Sequence, residues 1–264
     1  MVKYALKAFE DKTDGKTRAG GKKMSFEGYK RIDFRVNGRD SVIICPEKPI
    51  EGNPWIWKTE FFEAFNYAER ALLERGFHLA YHKVSDLYGC PESVEMMKEF
   101  YDAATGEYGL NKKTALFGFS RGGLYAFNFA LKYPGCAAAV YLDAPVLDVY
   151  SWPGGFGHGE GHPQCWEQCK KIYGITDEGR ADFKGNPLDH AEEFAALGIP
   201  TLLICGAVDR VVPYDENGEL FYNKMKAAGG KIEQIVKPDC DHHPHSLHEP
   251  EPICDFVYGA YGLK

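Results

Sequence analysis

Three short stretches of this 264-residue chain carry residue types that could act together on a carbonyl group. The first is Gly118-Phe119-Ser120-Arg121-Gly122-Gly123, a G-x-S-x-G pattern between an apolar run (113–119) and an Ala-rich run of helical pattern (121–132). A serine hydroxyl is a poor nucleophile until it is thrust out of the backbone and met by a base. A sharp strand-to-helix turn thrusts it out, and the flanking glycines let strand and helix approach closely while Ser120 takes strained angles. The helix start and the Arg121 amide would offer partial positive charge to an oxyanion. Without those flanking elements the same residues would make only a tight turn.

The second stretch, Gly206-Ala207-Val208-Asp209-Arg210-Val211-Val212-Pro213, follows the apolar run 200–205. Asp209 therefore leaves a strand at its carboxyl end, where sites form in parallel sheets. Its carboxylate could fix the tautomer of an imidazole; the plainer role is to cap the helix that follows. Asp143, in Tyr141-Leu142-Asp143-Ala144-Pro145, ends the preceding strand; it is the rival acid and is read as a pocket residue. The third stretch, Lys237-Pro238-Asp239-Cys240-Asp241-His242-His243-Pro244-His245, holds three candidate bases. An imidazole titrates near ~6.5 and can accept a serine proton at neutral pH. His242 is chosen as the first histidine after the strand, with His243 and His245 as alternatives.

The elements that must position these residues alternate between strand and helix, the mark of an α/β fold. Residues 29–45 read as a hairpin about Asn37-Gly38, 58–75 as a helix ended by Gly76, and 77–84 as a strand. A helix over 91–104 follows, then the strand 113–119, the helix 121–132 and a buried strand over 137–142. Strands over 200–205 and 231–237 and helices over 215–228 and 250–260 complete the pattern. Between about 147 and 186 the alternation lapses into a Gly-rich excursion with one helix near 165–173, read as a cap on a single domain spanning 1–264.

Composition narrows the function classes. Hydrophobic residues make up 44% and aromatic residues 14%, as in a globular protein with a ring-lined pocket. A net charge of −7 speaks against nucleic acid as a partner. The N-terminus, Met1-Val2-Lys3-Tyr4-Ala5-Leu6-Lys7, begins no apolar stretch long enough for a secretory signal or a membrane span, so a cytoplasmic location without membrane partners is expected. The eight cysteines are then expected as reduced thiols. Trp55, Trp57, Tyr88, Trp152 and Trp166 are read as loop or cap rings at the carboxyl edge, suited to a sugar face or an aryl group, or else as a hydrophobic seal. His158, His162, Cys165 and Cys169 match no standard zinc spacing, so neither a metal nor a cofactor is assigned. The oligomeric state stays open.

The motifs about Ser120, Asp209 and His242, with Asn186-Pro187-Leu188 and Gly198-Ile199-Pro200, resemble the α/β-hydrolase superfamily from about residue 29 to the end. More narrowly, the chain resembles esterase-like members related to prolyl-oligopeptidase-type and dienelactone-hydrolase-type catalytic domains. The resemblance implies a mostly parallel sheet flanked by helices and an acyl-enzyme on Ser120, with His242 as base and Asp209 as its orienter. The expected reaction is hydrolysis of a small or carbohydrate-linked carboxylic ester. A peptidase or acyltransferase of the same fold, and a catalytically silent binding module, are the alternatives. Two departures stand out. Pro238-Asp239-Cys240-Asp241-His242 replaces a Pro-Gly-x-Gly-His pattern, and no His-Gly-Gly follows the third strand. The second oxyanion donor is therefore expected from the backbone of Glu47 or Lys48, beside that of Arg121.

Overall fold

The computed structural model of the protein describes residues 26–85 and 87–263. The N-terminal stretch considered above lies outside them.

Asn37 and Gly38 both take positive φ (49° and 80°), the requirement of a two-residue turn between twisted strands. That turn joins β1 (Lys30–Val36) to β2 (Arg39–Cys45) as an antiparallel pair. β3 (Trp55–Lys58), β4 (His78–His82), β5 (Thr114–Phe119), β6 (Ala137–Asp143), β7 (Thr201–Gly206) and β8 (Ile232–Lys237) complete an eight-stranded sheet. Its order is β1-β2-β4-β3-β5-β6-β7-β8, with β3 to β8 mutually parallel and β2 antiparallel to β4. β5, β6 and β7 are buried along their whole length, which is why they read as continuous apolar runs.

Helices cover both faces. On one lie α1 (Tyr67–Glu74) and α7 (Glu251–Ala260), packed through Ala68, Leu72, Ile253 and Val257 against Ile56, Phe117 and Ile204. On the other, α2 (Pro91–Gly106), α3 (Gly122–Lys132), α5 (Ala191–Ala196) and α6 (Gly218–Ala227) pack through Phe100, Phe127, Phe194 and Phe221. α4 (Pro163–Tyr173) belongs to the Gly-rich excursion, where Tyr150, Trp152, Trp166 and Cys169 form a cluster that also takes in Tyr88 and Leu124. No helix of the described residues is long and apolar enough to cross a membrane. All eight cysteines are free.

Two sequence expectations fail between residues 46 and 75. Trp55-Ile56-Trp57-Lys58 is a strand, not a loop, and Trp55 and Trp57 are fully buried among Phe100, Tyr101 and Phe129. They are core residues and cannot meet a substrate. The helix expected over 58–75 begins only at Tyr67, because Phe61 and Phe65 take left-handed φ (54° and 52°) that a helix cannot contain.

Candidate active site

β5 ends one residue before Ser120, and α3 begins two residues after it. Between them Ser120 sits at φ 49°, a conformation that costs a non-glycine residue about 1–3 kcal/mol and persists only when the surroundings fix it. The surroundings do so through the backbone: Ser120 N–H donates to Asp143 O, and its carbonyl accepts from the N–H groups of Gly123 and Val146, each at 2.9 Å. Glycine at 118 is a packing requirement. A Cβ there would lie 2.8 Å from Ala126 Cβ and from the Gly122 carbonyl oxygen, so strand and helix could not close on the turn.

Asp209 follows β7. Its Oδ1 accepts the backbone N–H groups of Val211 (2.9 Å) and Val212 (2.8 Å), and its Oδ2 lies 2.8 Å from His242 Nδ1. Capping the turn and orienting a histidine are thus two faces of one carboxylate. A carboxylate only accepts, so Nδ1 carries the hydrogen and Nε2 is left to accept from Ser120 Oγ, 3.0 Å away. Ser120, Asp209 and His242 are 7%, 5% and 7% exposed, so this chain of hydrogen bonds is shielded from water.

The loop that delivers His242 follows β8. It approaches the end of β7 closely enough that a Cβ on Gly206 would lie 2.6 Å from the Asp241 carbonyl oxygen. Asp241 makes up for the glycines missing from this loop. Its Oδ1 accepts the N–H groups of His242 (2.8 Å) and Arg210 (3.0 Å), while its Oδ2 takes the Arg210 guanidinium at 2.7 Å. Those bonds hold its carboxyl well below the usual range and tie the His242 loop to the turn carrying Asp209.

Asp143 is not a pocket residue. It is completely buried beneath the turn, with His245 Nδ1 at 2.8 Å, the Tyr141 hydroxyl at 2.6 Å and the Ser246 N–H at 2.9 Å. Burial would raise its carboxyl, but the hydrogen bonds from His245 and Tyr141 and the charge of Lys237 work against that, and its pKa is lowered. Burial lowers the His245 imidazole in spite of the hydrogen bond and charge of Asp143. Of the three candidate bases, the structure brings His242 to Ser120; His245 serves Asp143, and His243 faces solvent and stacks on Phe65.

Glu47 and Lys48 lie at the wrong rim. β2 runs antiparallel to β4, so the loop after it emerges beside Gly76, at the amino ends of the parallel strands. The segment that packs on the elbow follows β3. There Thr59 Oγ1 donates to the carbonyls of Gly122 (2.9 Å) and Phe117 (3.1 Å), and Glu60 takes the Arg121 guanidinium at 3.0 Å and the Ser85 hydroxyl at 2.7 Å.

A buried staple missing from the sequence reading fixes that segment. The Lys58 Nζ reaches Glu69 at 2.6 Å, Asn66 Oδ1 at 2.7 Å and Ala64 O at 2.5 Å, with the Phe119 ring 4.2 Å away. Burial pulls the Lys58 amine down and pushes the Glu69 carboxyl up from their ordinary values. No periodicity signals this pair, because residues 59–66 follow no regular repeat.

Tyr88 and Trp152 do reach the carboxyl edge, but as packing. Their centroids are 6.5 Å apart, both side chains are buried, the Tyr88 hydroxyl donates to Gln168, and the Arg121 guanidinium lies 5.7 Å from the Tyr88 centroid. His158 pairs with Asp215 and His162 accepts the Cys165 N–H as the cap of α4.

Residues 76–259 match the prolyl oligopeptidase family, Peptidase_S9. No curated protein matches the chain. Among solved structures, the Pyrococcus horikoshii acylaminoacyl peptidase superposes with a TM-score of 0.60 at 17% identity, over 81% of this chain and 37% of that one. The Porphyromonas gingivalis dipeptidyl peptidase 4 gives 0.66 at 16%, over 88% and 35%. The chain thus spans little more than a third of the length of these two peptidases. A putative lipase from Acinetobacter baumannii gives 0.59 at 14%, over 89% of this chain and 93% of that one. At such identities the likeness is one of fold. The family match covers more than half of the sequence, and with it the chain belongs to the prolyl oligopeptidase family and has the α/β-hydrolase fold.

Proposed function

We propose that the chain hydrolyses a carboxylic ester, small or carbohydrate-linked, through an acyl-enzyme on Ser120. The observation that carries this reading is the unbroken path Asp209–His242–Ser120, with steps of 2.8 Å and 3.0 Å. His242 Nε2 takes the hydroxyl proton as Ser120 Oγ bonds to the carbonyl carbon, and Asp209 stabilises the imidazolium that forms. The carbonyl oxygen, now negative, is held by the Arg121 N–H and by an amide of the loop after β3, at Glu60 or Phe61. His242 then returns the proton to the departing alcohol, and a water activated by the same nitrogen releases the acid. Eight free thiols suit a reducing compartment such as the cytoplasm.

The family match favours a second reading, cleavage of a peptide amide by the same steps. A panel of p-nitrophenyl esters of rising acyl length and acetylated sugars, run beside peptidyl p-nitroanilides, separates the two. Turnover of esters far above anilides supports the first, the reverse supports the peptidase, and Ser120→Ala must abolish either. Turnover of neither would leave a binding module.

A further inference from the structure

Three imidazoles crowd the loop after β8, and the reaction proposed above uses one of them. His242, His243 and His245 each bring a nitrogen within 4.8 Å of those of the other two. Their ring centroids are 4.8 or 4.9 Å apart, each pair edge to face. His242 and His245 are buried, and each has its Nδ1 on a carboxylate at 2.8 Å, Asp209 in one case and Asp143 in the other. Metal-binding histidines are commonly held this way: an outer carboxylate fixes the ring and makes the remaining nitrogen a better ligand. His243 is exposed and stacks on Phe65 at 5.3 Å, which gives an ion a way in from solvent.

We propose that His242, His243 and His245 form an inhibitory site for a divalent transition-metal ion, with Zn²⁺ the best fit. Imidazole nitrogens suit zinc, which takes three protein ligands and keeps a water in the fourth position. Zinc–nitrogen bonds of about 2.0–2.1 Å put ligand nitrogens roughly 3.3 Å apart. The ligand nitrogens, which lie within 4.8 Å of one another, must then draw together by up to about 1.5 Å. In binding, three neutral imidazoles replace five of the six waters of the aqua ion, one water stays as the fourth ligand, and nothing is oxidised or transferred. The ion takes the Nε2 lone pair of His242 that Ser120 otherwise uses. The inhibition therefore rests on the acyl-enzyme reading, whereas the binding does not.

Titrating zinc chloride into the Ser120→Ala protein by calorimetry reads the binding without any activity. The expected result is one ion per chain, with His243→Ala in the same background weakening it by roughly tenfold or more. In the wild-type chain, zinc should block labelling by a fluorophosphonate and a chelator should restore it. His243→Ala should label normally without zinc and need about tenfold more zinc for the same block. No zinc bound by Ser120→Ala, or equal affinity with and without the His243 ring, overturns the site. Zinc bound as expected with labelling undiminished overturns its inhibitory role.

Discussion

Asp209–His242 and Asp143–His245 stand side by side at the carboxyl edge of the sheet, and locally they are near copies. Each imidazole meets its carboxylate through Nδ1 at 2.8 Å, each aspartate closes or follows a parallel strand, and the two rings are 4.8 Å apart. They differ in what lies beyond the pair. The far nitrogen of His242 meets Ser120 Oγ, whereas the His245 ring packs against Phe119 and Phe65. Asp209 is pinned by two backbone amides of its own turn, while Asp143 is pinned by Tyr141 and by Ser246 of the base loop. A carboxylate and an imidazole at hydrogen-bond distance therefore make either a proton relay or a structural brace, and the third partner decides which.

Matched substitutions can break that comparison. Asp209→Asn should lower kcat by about 10⁴-fold, because the amide favours the wrong tautomer of His242. Asp143→Asn should change kcat by less than about tenfold yet cost about 2–4 kcal/mol of stability, since its amide would face a buried donor. Ester kinetics and urea unfolding of both variants check this. Equal losses of kcat would erase the distinction between relay and brace.

The buried pair Lys58–Glu69 sharpens the comparison by lacking a histidine altogether. Lys58→Met leaves the Glu69 carboxyl buried without its cation, at an expected cost of about 3–5 kcal/mol, and adding Glu69→Leu should recover most of it. Urea midpoints of the single and double variants test this; no recovery in the double variant would mean that the charge pairing is not what matters.

His82 is a buried imidazole held through Nδ1 by the Ser41 hydroxyl at 2.9 Å, with no hydrogen bond to a carboxylate among the described residues. Burial, helped by Arg39, lowers its pKa to about 4. The unfolded chain takes up this proton near ~6.5, before the folded one, so stability is full above that pH and falls as pH drops toward about 4. The single group accounts for about 3 kcal/mol across that window. Unfolding at pH 7 and pH 5 should show the fall, and His82→Phe should flatten it; an unchanged slope would assign the acid sensitivity to other groups.

Much of the architecture was legible because strong local signals agreed. Asn37-Gly38 announced the hairpin, and the apolar runs of β5, β6 and β7 announced buried parallel strands. β3 escaped because four residues buried on both faces carry no alternation, and two tryptophans suggested a pocket. That one omission shifted the strand count and put the second oxyanion donor on Glu47 or Lys48, at the opposite rim. Ser120 could be read because its turn needs glycines at fixed offsets. Asp209 and His242 could be chosen because each follows a later strand in the order acid then base, whereas the pairing of Asp143 with His245 left no such mark and Asp143 was read as a pocket residue. Asp241 looked like a departure from a glycine pattern, whereas its side chain ties together the two loops carrying the acid and the base.

The account stands on Ser120 as the residue that is acylated. Treating the folded chain with a fluorophosphonate and mapping the adduct by mass spectrometry tests it most directly. One adduct per chain on Ser120, absent from Ser120→Ala and strongly slowed in His242→Ala, is the predicted result. An adduct on another residue, or labelling that survives Ser120→Ala, would contradict it.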